Sequence, residues 1–286
     1  MEKSGVGCNF FCFCAVKQMK PINRKDMIMK KRFFVIAGIL LAAGVVMASC
    51  VQDLKGLSGA DAGPQMTESR NLKGFEEIDI SGSPKVVYTQ GQSFGVKVVG
   101  PKRFVESIIT EVKGKTLSIR NKGKVGIVNI QRDYDDAAVY VTSPDLTAVR
   151  LNGSGDFESK QRVDTDKMLI VLRGSGDISF SDIICDHCTT ELTGSGDIDI
   201  DRLEAVRSNV SLVGSGDIDV KQWKVDNTDL TLRGSGDIEV NFMEGCKKAN
   251  CQMAGSGDIT LKGRLEHYDV QKRGSGEIDT RGVLRD

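Results

Sequence analysis

Apolar and polar residues alternate with a period of two through the second half of the chain, and Gly-Ser-Gly interrupts the alternation at regular intervals. Apolar residues stand four and two positions before each interruption: Val149/Leu151, Ile170/Leu172, Val210/Leu212 and Leu230/Leu232. Cys251/Met253 follows the same rule, and Thr190/Leu192 follows it more weakly. Beyond each interruption comes an acid, with apolar residues one and three positions after it: Ile178/Phe180, Ile198/Ile200, Ile218/Val220, Ile238/Val240 and Ile259/Leu261. Such alternation puts these residues on one face of a strand and the intervening Asp, Glu, Ser, Thr and Arg on the other. Each unit therefore reads as strand, Gly-Ser-Gly turn, strand and a more variable connection. Glycine supplies the positive φ that a tight turn needs.

The interruptions begin at Gly153, Gly174, Gly194, Gly214, Gly234, Gly255 and Gly274, 19 to 21 residues apart. A fixed period of this size means one small unit stacked on copies of itself. The prediction is an all-β, parallel β-helix-like solenoid of two-strand coils, with equivalent strands roughly 4.8 Å apart. General crossover preference makes it right-handed. No single unit can bury its own apolar face, so the stack folds as an array. An antiparallel meander or sandwich is the alternative, because Gly-Ser-Gly also closes hairpins; the constant period favours the solenoid.

Before the repeats, residues 74–152 are strand-rich but less regular. Phe75 to Ser83 reads as a strand running into a degenerate copy of the turn. Val86, Tyr88, Val96, Val98, Leu117, Ile119, Val139 and Val141 mark short alternating strands. Pro101 to Thr110 suits one short helix with Pro101 in its first turn. This segment reads as a cap over strand edges that would otherwise be open.

A different pattern lies nearer the start. Lys30, Lys31 and Arg32 precede an apolar run from Phe33 to Val46, and Met47-Ala48-Ser49-Cys50 follows. A basic start, a short apolar core and small residues define an export signal. The run is short for a membrane span. The closing Cys50 makes the segment resemble a bacterial lipoprotein signal, with Cys50 the lipidated first residue of the exported chain. The alternative is an ordinary signal peptide with an incidental cysteine. Residues 1–26 fit neither plan. Met27 and Met29 each leave a conventional charged start, so 1–26 reads as lying upstream of the true start. The expected plan is a signal region over 1–49, a tether over 50–73, the cap over 74–152 and the repeats over 153–286.

Charge then narrows the partners. The chain holds 39 basic and 39 acidic residues. Removing 1–49 leaves 31 basic against 37 acidic, about −6. That argues against nucleic acid, which calls for a basic patch.

Three features together resemble the GIN-domain family of Gram-negative lipoproteins, described as "putative auto-transporter adhesin, head domain". They are the lipoprotein-like start, the opening Phe75…Ile78-x-Ile80-x-Gly82 with Val86-x-Tyr88-x-Gln90-Gly91, and the Gly-Ser-Gly-Asp series. The match spans roughly residues 74–286. The resemblance implies a β-helix-like fold with Gly-Ser-Gly at the turns, and adhesion at the cell surface. It brings no catalytic residues.

Three constellations could carry chemistry. The first is the acid after each turn: Asp156, Asp177, Asp197, Asp217, Asp237, Asp258 and Glu277. A partial second row follows at Glu158, Asp199, Asp219, Glu239 and Asp279. Carboxylates one strand apart repel by about 1 kcal/mol in bulk water. Backbone N–H groups within the turns would offset this. A row of Ca²⁺ ions would also do so. The motif is similar to calcium-binding nonapeptide repeats, but those recur about every nine residues.

The second is cysteine. Cys185 and Cys188 form a C-x-x-C with His187 inside it, and Cys246 and Cys251 follow. A zinc site is conceivable from spacing. However, Cys188 and Cys251 belong to coils three apart, roughly 14 Å along the axis. Buried thiols are the plainer reading, with a local Cys185–Cys188 disulfide and a metal site as alternatives.

The third is Trp223, in a variable connection, as a packing residue or a sugar platform. His187, His267 and Tyr268 also break the repeat chemistry. β-Helices also carry polysaccharide-cleaving enzymes, so an enzyme is the rival class. Its acids would need distinct environments, whereas these carboxylates are nearly equivalent.

The expectation is a non-catalytic envelope lipoprotein, held to the outer membrane through Cys50 at the cell surface or in the periplasm. Its repetitive surface would bind a glycan or protein. A structural or stress-related periplasmic lipoprotein without external ligand is the alternative, and no cofactor beyond the Ca²⁺ option is expected.

Overall fold

A computed structural model describes residues 64–122 and 137–284. The export signal and Cys50 lie outside the described residues. The described chain is a parallel β-solenoid preceded by mixed strands. The mixed part comprises β1 (Gln65–Arg70), β2 (Glu77–Gly82), β3 (Lys85–Gln90), β4 (Gly95–Pro101), α1 (Lys102–Ser107), β5 (Ile108–Lys113), β6 (Thr116–Asn121) and β7 (Ala138–Ser143). The coils continue with β8 (Ala148–Gly153), β9 (Asp156–Asp164), β10 (Lys167–Gly174), β11 (Asp177–Gly194), β12 (Asp197–Gly214), β13 (Asp217–Gly234), β14 (Asp237–Gly255), β15 (Ile259–Gly274) and β16 (Ile278–Leu284).

Every coil pairs in parallel with the next, in the register that the repeat spacing sets. Asp177 faces Asp197, Ile178 faces Ile198 and Gly194 faces Gly214. Strands ending at a turn form one wall: β2, β8, β10 and the second halves of β11–β15. Strands leaving a turn form the other: β3, β9, the first halves of β11–β15, and β16. The inward rows are almost wholly sealed: Ile198, Ile200, Val210 and Leu212 are each no more than 2% exposed. Burying one such side chain contributes about 1.5–3 kcal/mol.

Each long strand also changes phase twice. In β12 the buried positions run Ile198, Ile200, then Leu203, Ala205, then Ser208, Val210, Leu212. Two adjacent outward positions at each slip, Asp201-Arg202 and Val206-Arg207 in β12, let the chain turn a corner without exposing its inward row. A short middle segment therefore joins the two walls, on the side away from the Gly-Ser-Gly turns.

The degenerate turn at Gly82 belongs to the stack. β2 lies between β6 and β8, with Gly82 opposite Gly153, and β3 lies between β7 and β9. Tyr88, Phe157 and Phe180 continue as a ring column, with centroids 6.3 and 5.1 Å apart. The edges beyond β6 and β7 are covered by antiparallel strands: β5 on β6, β4 on β7 and β1 on β4. Within the 50–73 segment, Gln65–Arg70 are thus a strand. Its residues are nearly all exposed and lack apolar alternation, so only backbone pairing reveals it. Helix α1 spans Lys102–Ser107 behind Pro101 and buries Phe104 and Val105. Ile108-Ile109-Thr110 pass instead into β5, as β-branched residues favour.

The far end closes differently. Inward positions of the last coil are Tyr268, Val270, Lys272, Ile278 and Thr280, and Val270 is already open to solvent. The Tyr268 hydroxyl lies 3.3 Å from Thr280 Oγ1, and Lys272 Nζ donates to the Gly276 carbonyl at 2.7 Å. Polar side chains reaching across the coil end stop the apolar column, as terminal repeats of a solenoid must.

Candidate functional site

Two surfaces carry the candidate residues: the turn edge and, opposite it, the edge built by the middle segments.

At the turn edge, Gly174, Gly194, Gly214, Gly234 and Gly255 all have φ between 133° and 146°. A Cβ on any of them would overlap the carbonyl oxygen of the glycine one coil back. The second glycine of each turn is bound by the same close approach, without the positive φ. Turn amides continue the ladder: Ser175 and Gly176 both donate to the Gly153 carbonyl, at 3.0 and 3.2 Å.

The acids join this scaffold. Asp177 Oδ1 accepts the Asp197 amide at 3.3 Å, Asp197 the Asp217 amide at 3.1 Å, and Asp217 the Asp237 amide at 3.2 Å. Asp237 accepts the Asp258 amide at 2.8 Å and Asp258 the Glu277 amide at 2.7 Å. Each carboxylate thus reaches across to the next coil rather than into its own turn. Burial pushes the Asp156 and Asp177 carboxyls up, and for Asp177 the flanking carboxylates add to the rise while the Asp197 amide opposes it. Three acids of the outer row are tied to cations: Glu158 to Lys85 and Lys160, Glu239 to Lys262, and Asp279 to Arg281. Arg281 holds the Asp279 carboxyl down at about 2. Among the described residues, no three His, Cys, Asp or Glu side chains converge on a point where a metal ion could sit.

Cys185, Cys188, Cys246 and Cys251 are free and buried. The Cys185–Cys188 thiol contact raises the Cys188 pKa, with burial adding, and lowers that of Cys185. Burial, with the Asp229 charge adding to it, lifts Cys251 to about 12. The raised thiols, Cys188, Cys246 and Cys251, are poor nucleophiles.

The opposite edge holds a groove of about 630 Å³. Ala205, Val225 and Cys246 belong to its floor, and Trp223 and Val206 line it. Sequence spacing explains how Trp223 is set. Arg162, Asp182 and Arg202 recur at intervals of twenty and stack in a column. Arg162 Nε donates to Asp182 Oδ2 at 2.8 Å, and Arg202 Nε lies 3.7 Å from Asp182 Oδ1. The Arg202 guanidinium then sits 4.3 Å over the Trp223 ring centroid, a cation–π contact that fixes the indole. Behind Trp223, Gln222 occupies an inward position that Leu203 and Phe242 fill in neighbouring coils. Its Nε2 donates to Ser208 Oγ at 3.0 Å, and Thr228 Oγ1 donates to its Oε1 at 2.7 Å.

The backbone ladder breaks at this groove. Pairing of β13 with β14 stops at Gln222–Phe242 and resumes at Asn227–Lys248. Four residues on one strand face five on the other, with Gly245 at φ 115° inside the bulge. The rim charges pair among themselves, Lys224 with Glu244 at 3.8 Å and Lys247 with Asp226 at 3.0 Å. Apolar side chains stay in water nearby: Val206 is 51% exposed and Met243 43%. Of the groove's residues the sequence singled out Trp223, Cys185 and Cys246. Arg202 was readable from its spacing, whereas nothing in the local sequence signals the exposure of Val206 or Met243.

Such a molecule, a regular β-solenoid with structural acids on one edge and a shallow groove on the other, is a repeat scaffold with a surface suited to contact. The chain belongs to the family described as "Putative auto-transporter adhesin, head GIN domain", whose model matches residues 74–246. Solved structures share the fold. A putative adhesin from Bacteroides fragilis NCTC 9343 is 23% identical with a TM-score of 0.66, over 77% of this chain and 97% of that one. A putative lipid binding protein from Parabacteroides distasonis ATCC 8503 is 22% identical with a TM-score of 0.62, over 76% of this chain and 97% of that one. A putative adhesin from the same organism is 20% identical with a TM-score of 0.54, over 78% of this chain and 98% of that one. No curated protein sequence matches this chain. Family membership supports an adhesion-like role in an exported, envelope-associated protein.

Proposed function

We propose that this protein is a non-catalytic binding lipoprotein of the cell envelope, anchored through lipid on Cys50 and presenting its solenoid outside the cell. The observation that carries the reading is the coil stack itself. Its turn-edge carboxylates are committed to backbone amides, and its walls present the same polar positions coil after coil. A repeated face suits multivalent contact, in which weak unit interactions add. Catalysis by carboxylates would instead call for two acids pushed apart by different environments. Five acids of this edge, Asp177, Asp197, Asp217, Asp237 and Asp258, share one arrangement, each accepting the next coil's amide.

Protease treatment of intact cells, beside lysed cells and a Cys50→Ala variant, tests the reading. Loss of the chain from intact cells, with Cys50→Ala released from the membrane, is the expected result. Protection of the chain until lysis would overturn surface display.

A further inference from the structure

We propose that the groove beside Trp223 is a binding site for a neutral carbohydrate chain. The inference rests on the binding role above and gives it a location and a ligand class.

Four observations converge. First, the groove crosses five successive coils, from Ile184 and Cys185 to Arg264 and Leu265, about 19 Å along the axis at one strand spacing per coil. That shape fits an extended chain better than a compact small molecule. Second, its wall holds Trp223, an aromatic ring already oriented by Arg202, so little entropy is lost in positioning it. The Trp223 indole N–H is shielded from water and has no hydrogen-bond partner among the described residues. Because that donor is closed off from solvent, a ligand in the groove meets the ring and not the N–H. Third, the rim is charged but internally neutralised through Lys224–Glu244 and Lys247–Asp226. A polyanion or polycation would meet no matching field there. Hydroxyl groups are served by both members of each pair, as donors to the carboxylates and acceptors from the ammonium groups. Fourth, the backbone ladder opens at the groove floor. Trp223–Asp226 and Met243–Lys247 leave the regular pairing, β14 also slips against β15 between Phe242 and Cys246, and regular pairing holds before and after. A peptide adding as a strand needs a continuous free edge, and this groove lies between paired strands.

Together these features match a site where an apolar ring face and scattered hydroxyls are recognised at once, which is the surface chemistry of a sugar. The solenoid supplies rigidity on either side, and the bulge at Gly245 supplies the concavity.

The chain contains a single tryptophan, so its emission reports this site alone. The full chain would be titrated with soluble neutral hexose and N-acetylhexosamine oligomers, with emission and calorimetry read in parallel. We expect one oligomer class to shift the emission saturably, with an affinity nearly independent of salt. Trp223→Ala should weaken calorimetric binding by about tenfold, the size of one stacked aromatic contact. Trp223→Phe should retain part of it. Should Trp223→Ala fold poorly, Val206→Asp on the exposed lip should give the same loss. Three results would overturn the proposal: no oligomer shifts the emission, oligomer binding survives both variants unchanged, or the groove takes only charged peptides or phospholipid vesicles. The envelope reading is tested separately by cell shaving. A protease-accessible chain with no sugar binding would sink the groove proposal alone. A chain protected until lysis that still binds sugar through Trp223 would sink surface display alone.

Discussion

The two edges of this solenoid solve the same problem in opposite ways. Both must turn the chain between walls about once per coil. The Gly-Ser-Gly edge does so with an invariant backbone: positive φ at the first glycine, no room for any Cβ, and carboxylates that accept the next coil's amide. The opposite edge does so with side-chain pattern, using doubled outward positions where the alternation slips. The first edge cannot vary without breaking register. The second tolerates an extra residue, an aromatic, a glycine bulge and exposed apolar side chains, so the groove forms there. Repetition fixes the scaffold at one edge, which leaves the other free to differ.

The strongest way to break the comparison is to place the same substitution on both edges. Gly194→Ala forces a Cβ against the Gly174 carbonyl and imposes positive φ on alanine. We expect a loss of about 4 kcal/mol or more, at the extreme of single substitutions. Gly196→Ala has the same backbone overlap without a positive φ, so its loss isolates the steric part. Gly245→Ala keeps the positive φ, but the nearest foreign atom is Arg264 Cβ at 3.8 Å. It should cost only about 1–2 kcal/mol. Urea unfolding of the three variants checks the order. Equal losses at Gly194 and Gly245 would mean that dihedral strain, not coil contact, dictates glycine at the turns.

This contrast also explains what was legible in the sequence. The period, the inward rows and the turn positions were readable because each rests on local pattern repeated seven times. Gly82 was readable as a degenerate turn from Ile78-x-Ile80-x-Gly82. The need for the second glycine was hidden, because its contact lies one coil away and its own φ is ordinary. The middle segment was hidden for a similar reason. Ile183/Cys185 and Leu203/Ala205 continue an alternation whose phase has slipped, and a slip looks like a variable connection until the coils are stacked. Strand β1 was invisible because Thr67, Glu68 and Ser69 are exposed and polar. At the candidate site, Trp223 stood out by type. Its groove depends on the bulge between Gln222 and Asn227, which only the pairing of two coils reveals.

A smaller effect is expected from the buried polar link behind the groove. Gln222→Ala would remove partners from Ser208 and Thr228 and leave a void among Leu203, Val220 and Phe242. The expected loss is about 2–4 kcal/mol, from cavity and lost hydrogen bonds together. Gln222→Leu fills the space and restores the inward apolar row, while Thr228 keeps Cys246 Sγ within 3.8 Å. It should cost less than about 1.5 kcal/mol. If Gln222→Leu keeps the stability but changes the emission of Trp223, then this link positions the groove wall. If stability falls equally in both variants, the polar pairing itself holds the middle segment in place.

The smallest effect separates charge from hydrogen bonding on the turn edge. Burial raises the Asp177 carboxyl above its ordinary range, and the Asp156 and Asp197 charges add to it. A raised carboxyl favours the protonated form in the folded state. Its stabilising contribution is therefore fully present below the unfolded value, about 3.9, and is lost as pH rises through the folded value. At neutral pH the charged Asp177 opposes folding slightly, by a few tenths of a kcal/mol once its partial exposure to solvent is allowed for. Asp177→Asn keeps a carbonyl oxygen to accept the Asp197 amide, now at 3.3 Å from Oδ1, and removes the charge. The variant should unfold at slightly higher temperature than the parent at pH 7, and the difference should vanish as pH falls below about 3.9. A variant less stable than the parent at pH 7 would mean that the ionised carboxylate strengthens the inter-coil hydrogen bond by more than its burial and its neighbours cost. The acid after each Gly-Ser-Gly would then be kept for its charge and not only for its oxygen.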